Sequence, residues 1–199
     1  MSYLDLLARA TLFRKSHEID KEIALRWKSK RCDKNGCGGP LHKAHYQRKP
    51  RGEACEIPEE YAVRMGWCCG WCRRRCLPPS CLFWGRRVYW GIVIILVTSA
   101  KEGLKHGTSL SLSQKLNVSP RTIGRWVRYF KDVFPKTHQW QRLRGPVTSL
   151  VRNDDLPRAL LELFLSSTTC ALTAVIHCMK FLAGGLANPV FLNPFIEGP

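Results

Sequence analysis

Acidic side chains are scarce in this chain of 199 residues: 15 Asp and Glu stand against 32 Lys and Arg, a formal net charge of +17. A balanced surface would serve solubility, so an excess this large points to a polyanionic partner. The basic residues fall mainly in the first three quarters of the chain, as phosphate contacts along a nucleic acid require. Long apolar runs are lacking as well. The longest, Val88 to Ala100, is flanked by Arg86, Arg87 and Lys101, and it falls short of the roughly 20 residues a helix needs to cross a bilayer. A second apolar stretch, Leu156 to Ala187, is broken by Arg158, Glu162, His177 and Lys180, and Gly184-Gly185 interrupts it near its end. Charges inside a bilayer-spanning helix are costly, so packed helices and no membrane partner are expected. The opening Met1-Ser2-Tyr3-Leu4-Asp5-Leu6-Leu7 has neither the basic n-region nor the apolar core of a signal peptide. A cytoplasmic, nucleoid-associated protein with reduced thiols is the expectation.

Cysteine, by contrast, is abundant, with ten residues. In a reducing compartment clustered thiols more often hold a metal than one another. Cys32 and Cys37 enclose Asp33-Lys34-Asn35-Gly36, and further on Cys68, Cys69, Cys72, Cys76 and Cys81 crowd together. Two separated pairs around turns are what a tetrahedral zinc ribbon needs, because each turn sets two thiolates on one side of the ion. The ligand set read from this pattern is Cys32, Cys37, Cys69 and Cys72, with Cys68, Cys76, His42 and His45 as alternates. Four protein ligands leave no open position for water, so the zinc is expected to be structural. Cys170 and Cys178 fall on apolar helical stretches and read as small core residues. Cys55 and Cys81 have no assigned role.

Helical patterns take over after residue 84. Ser111 with Gln114 forms a capping-box pattern, Asn117 tolerates the left-handed backbone that ends a helix, and Ser119-Pro120 supplies an N-cap followed by proline at the first helical position. A short helix, a tight turn and a longer helix follow from these signals. In the longer helix Ile123, Trp126, Val127, Phe130 and Phe134 repeat at helical spacing, and Arg121, Arg125 and Arg128 gather on the opposite side. Thr122, Arg125 and Tyr129 extend that exposed side toward base edges, while Arg128 and Lys131 suit phosphates. Arg86 and Arg87 complete the candidate DNA contacts. The Val88 to Ala100 run is expected to be the first helix of a trihelical core, against Leu112, Leu116 and Ile123, although its β-branched residues also suit a strand.

The cysteine-rich start, the strings Cys72-Arg73-Arg74-Arg75, Pro78-Pro79-Ser80 and Gly85-Arg86-Arg87-Val88-Tyr89, and the helix-turn-helix pattern together resemble small proteins of bacterial mobile elements. They look like the zinc-ribbon and helix-turn-helix front ends of insertion-sequence transposases, over roughly residues 26 to 135. The resemblance implies recognition of element DNA, or service to a separately encoded recombinase. The chain departs from that pattern in the wide Cys32–Cys37 spacing, in the extra Cys76 and Cys81, and in having no set of strand-borne carboxylates after residue 145 for two-metal chemistry. Asp154 and Asp155 adjoin in a linker and Glu162 falls on an apolar helix, so no enzyme is expected.

The expected fold is mainly α with a small zinc-ribbon unit. It divides into an N-terminal helical segment (1–27), a zinc-ribbon-like region (28–84), a helix-turn-helix domain (85–145), a C-terminal helical pair (146–187) and an extended or disordered tail (188–199). The expected partner is double-stranded DNA, with a transcriptional regulator or a protein-interaction module of a recombination complex as alternatives. Leu160, Leu161, Phe164 and Leu165 offer a homodimer seam.

Overall fold

Ile92, Val93, Ile94, Ile95, Leu96 and Val97 are each at most 1% exposed, and the segment holding them, Gly91–Ser99, is a helix despite its β-branched residues. Full burial contributes about 1.5–3 kcal/mol for each such side chain, whereas their deficit in helix propensity is at most about 0.7 kcal/mol each. Packing therefore wins over propensity. A lone strand at this place would leave its backbone groups without ladder partners.

The computed structural model describes residues 3–53, 55–84, 88–100, 106–147 and 149–184. In chain order, helices α1 (Tyr3–Leu7) and α2 (Ala10–Lys28) precede the short strands β1 (Leu41–Lys43), β2 (Tyr46–Gln47), β3 (Val63–Arg64), β4 (Trp67–Cys69) and β5 (Arg75–Cys76). Helices α3 (Gly91–Ser99), α4 (His106–Leu116), α5 (Pro120–Arg128), α6 (His138–Leu143), α7 (Arg158–Ser166) and α8 (Ala171–Leu182) follow. The described chain is thus mainly helical with a small sheet region. Helix α3 is central and packs against α1, α5, α7 and α8. The resulting apolar core runs from Leu6 to Leu182, so the N-terminal helices, the middle helices and the C-terminal pair share it.

The expected N-terminal helical segment divides in two at Arg9, whose extended backbone separates α1 from α2. Leu12, Phe13, Ser16, His17, Asp20, Ile23 and Ala24 of α2 form the buried stripe, and the Phe13 ring meets Trp90 edge-on at 5.4 Å. Asp20 ties α2 to the next segment: its carboxylate accepts from the Ser80 hydroxyl and from the Cys81 amide at 2.6 Å. Strands β1, β4 and β5 form one antiparallel sheet in the order β1-β4-β5, and β2 pairs with β3.

Helices α4 and α5 are joined through Asn117, Val118 and Ser119, with Asn117 at φ 48. Ser119 caps α5, accepting from the Thr122 amide, and Pro120 stands in its first turn. The expected capping box at Ser111 is not formed, because α4 starts five residues earlier, at His106, and Ser111 lies inside it. After Arg128 the helix loosens into a π-turn, Tyr129–Val133, and a 3-10 turn, Phe134–Lys136. This keeps Phe130 and Phe134 on the buried side, with ring centroids 5.3 Å apart.

Two further expectations fail here. Leu160, Leu161 and Phe164 are 1% exposed or less and pack within the chain, where α7 meets α3 and α8, so the supposed homodimer seam is already used internally. Leu165 is half-buried against the same core. Cys170, expected in the core, is exposed just before α8, while Cys178 is fully buried. The tail from residue 188 and the pair Arg86 and Arg87 lie outside the described residues.

Burial raises Asp20 to about 6, against the Ser80 hydroxyl and Cys81 amide, which favour its charged form. A carboxyl whose folded pKa exceeds the unfolded value of 3.8 holds its proton more tightly when folded. Its stabilising contribution is complete below that unfolded value and is lost as pH rises through 6. Between pH 5 and pH 7 the wild type is expected to lose about 1 kcal/mol relative to Asp20→Asn. Urea unfolding of both proteins at the two pH values measures the difference, and pH effects of other groups cancel in the comparison.

Candidate metal centre

Two tight loops bring four sulfurs to one point. The first follows α2: the Cys32 amide donates to the Gly39 carbonyl at 3.0 Å, and the Gly38 amide returns to the Cys32 carbonyl at 2.9 Å. Inside it Asn35 (φ 54) and Gly36 (φ 70) take left-handed backbone, as does Gly38 (φ 67). These residues coil the wide Cys32–Cys37 spacing into a compact turn that still aims both thiols inward. The second loop is the β4–β5 hairpin end, closed by Cys69 N to Arg74 O at 3.0 Å and Arg73 N to Cys69 O at 3.1 Å, with Arg73 at φ 58. The loops are joined where the Gly70 amide donates to the Pro40 carbonyl at 2.9 Å. Gly39 is fitted tightly: a Cβ there would come 2.6 Å from Cys69 Sγ.

The Sγ atoms of Cys32, Cys37, Cys69 and Cys72 all lie within 4.8 Å of one another. Cys32 and Cys72 are 3.7 Å apart, as are Cys37 and Cys69. A disulfide would need about 2.0 Å. Four thiolates at about 2.3 Å from a central ion, tetrahedrally arranged, have edges of roughly 3.8 Å. The four cysteines thus have the spacing of a metal site, and their donors suit a soft cation.

Backbone amides support this use. Cys32, Cys37 and Cys72 accept amide hydrogen bonds from Lys34, Gly39 and Arg74, which favour the thiolate, yet burial and neighbouring thiols leave all three above the ordinary thiol range. At Cys69 burial also opposes ionisation, but the amides of Cys72 and Trp71 and the adjoining thiols outweigh it and bring the group down to about 7. The Trp71 amide lies 3.4 Å from Cys69 Sγ. Four thiolates around a divalent ion would carry two net negative charges, and the exposed Arg73 and Arg74 on the second loop would offset them.

The alternates fall outside the group. Cys68 and Cys69 are successive residues of β4, so their side chains leave opposite faces of the sheet. Cys69 is fully buried among the sulfurs, and Cys68 Sγ turns instead to the Arg73 carbonyl at 3.4 Å. Cys76 is buried behind the site with its Sγ 4.0 Å from that of Cys32. His42 is exposed on β1, and His45 Nδ1 lies 3.0 Å from the Gly66 carbonyl and 3.2 Å from its amide. Cys81 is fully buried beside Asp20, and its thiol is pushed up by that burial.

On α5, Arg121, Arg125 and Arg128 are exposed, followed by exposed Lys131. Thr122 departs from expectation: it is 5% exposed, because its hydroxyl closes the cap with Ser119 Oγ at 3.0 Å and accepts from Arg125 Nη2 at 2.8 Å. It orients Arg125 rather than facing solvent. Tyr129 is half-buried, its ring 5.3 Å from Phe130 and 6.0 Å from Phe134. Gly124, which the sequence reading passed over, lies among the arginines with open space where a Cβ would be. A glycine inside a helix that no neighbour requires was the available signal.

Comparison with protein-family models, curated proteins and solved structures finds no match to the chain.

Serine replacement distinguishes ligands from neighbours. Cys69→Ser is expected to abolish stoichiometric metal binding and the loop structure that depends on it, whereas Cys68→Ser retains the metal. Elemental analysis of the purified variants, with circular dichroism before and after chelation, measures both.

Proposed function

We propose that this chain is a zinc-containing, sequence-selective double-stranded DNA-binding protein, a transposase-like or accessory protein of a bacterial mobile element without its own catalytic core. In this reading α3, α4 and α5 are a trihelical helix-turn-helix unit, and the four-thiol region is a structural zinc ribbon. The observation that carries it is the arginine face of α5, set at a capped helix start after a left-handed Asn117 turn. Arg125 is braced by Thr122, which holds its guanidinium in place for a bidentate contact with a base edge. Arg121, Arg128 and Lys131 supply phosphate contacts. Gly124 leaves the helix surface low between them, so that a duplex approaches closely.

Zinc is preferred because thiolates in a tetrahedral set are its usual structural environment. The adjacent carboxylates Asp154 and Asp155 are engaged by Arg152 at 2.8 Å and Arg158 at 2.6 Å, which supports reading them as structural charges. The partners implied are duplex DNA and a separately encoded recombinase.

With phosphate contacts from several cations, the logarithm of duplex affinity is expected to fall with the logarithm of salt at a slope steeper than about −3. Arg125→Ala is expected to lower discrimination between a selected and a random duplex by about 1–3 kcal/mol. Gly124→Leu, which meets no protein atom near its Cβ, gives a separate check. It is expected to preserve thermal stability and to weaken duplex binding about tenfold, ~1.4 kcal/mol. Fluorescence anisotropy titrations read all three, and unchanged affinity in both variants removes α5 from the interface.

A further inference from the structure

Trp71 is the most conspicuous residue on the metal loops. It is 68% exposed, although tryptophan is among the residues with most to gain from burial. Its backbone is held tightly, since its amide meets Cys69 Sγ and it stands between two of the four converging cysteines. The indole is seated at one edge: a Cβ on Gly39 would lie 3.0 Å from its Cγ and Cδ2. The rest of the ring is open, on a loop that cannot easily fold it away.

The surroundings select a partner. Exposed Arg73 and Arg74 follow Trp71 on the same hairpin end, and exposed Arg75 stacks over the Tyr46 ring at 4.4 Å. Exposed Lys30, Arg31 and Lys34 belong to the facing loop, where the acid Asp33 is paired with Lys34 at 3.7 Å. An apolar protein partner would want apolar neighbours, whereas most exposed charged side chains on these two loops are cationic. A flat aromatic face beside several cations suits a nucleobase stacked on the ring with its phosphates among the arginines and lysines. Bases within a duplex have both faces covered, so the matching ligand is an unpaired base.

We infer that Trp71, with Arg73 and Arg74, forms a stacking platform for unpaired nucleotides on the metal module. The inference rests on the nucleic-acid reading above and deepens it: α5 holds the duplex while the metal loops hold a nearby unpaired stretch or strand end.

The test uses the full metal-loaded chain, a fluorescein-labelled oligothymidylate and a duplex, by anisotropy at fixed salt. Trp71→Ala is expected to weaken oligothymidylate binding about 5- to 100-fold, Trp71→Phe to keep most of it, and both to leave duplex affinity within about twofold. Arg73→Ala with Arg74→Ala is expected to flatten the salt dependence of single-strand binding. A 2-aminopurine base in the oligonucleotide, used with wild-type protein alone, should be quenched on binding through stacking. Absence of quenching, equal affinity of wild type and Trp71→Ala, or equal weakness of Trp71→Phe and Trp71→Ala overturns the platform. The duplex reading fails separately, when Arg125→Ala and Gly124→Leu leave duplex affinity untouched. A protein that binds neither nucleic acid overturns both.

Discussion

Four sulfurs within 4.8 Å of one another are the constraint around which the first half of the molecule is organised. The apolar cluster beside them holds Cys32, Trp67, Cys69 and Cys76, with Trp27, Cys37, Leu41 and Cys72 packed at its edge. So small a cluster contributes little, and units of this size ordinarily need a metal or disulfides. Everything local serves the convergence: left-handed residues at Asn35, Gly36, Gly38 and Arg73, amides aimed at sulfur, and a Gly39 without a Cβ. The loops are hydrogen-bonded where they meet and exposed where they turn outward, which leaves Trp71 and its arginines at the surface.

The second half depends on α3. Because that helix is buried on all sides, the elements packed against it face outward with their polar surfaces, and α5 shows solvent its arginines. The two halves are not independent bodies. Helix α2 leads into the first cysteine loop, packs against α8, and binds the Ser80–Cys81 turn through Asp20. The positive charge is thus carried on both the cysteine loops and the arginine helix of a single framework.

Much of this was legible along the chain. Asn117, Ser119 and Pro120 act through their own backbone preferences, so the turn between α4 and α5 could be read locally. The pairing of Cys32 and Cys37 with a later pair followed from the chemistry of thiolates and turns. The preference for Cys69 over Cys68 followed from the two-residue gap before Cys72, and alternation on β4 gives its physical reason, sending the neighbours to opposite faces. Thr122 was misplaced because helical spacing alone put it on the arginine side, while its hydroxyl is drawn into the cap. Leu160, Leu161 and Phe164 looked like a seam because an amphipathic pattern records which face is buried and not what buries it.

By itself, then, the order of residues determined what is local: turn geometry, helix period, the supply of thiols and the sign of the charge, each a property of a few neighbouring groups. Tertiary structure alone decided where the remaining thiols go, which apolar faces are spent inside the chain, and which aromatic stays outside. Those outcomes depend on distances between segments far apart in sequence, and such distances are set by how the elements pack around α3 and the four sulfurs.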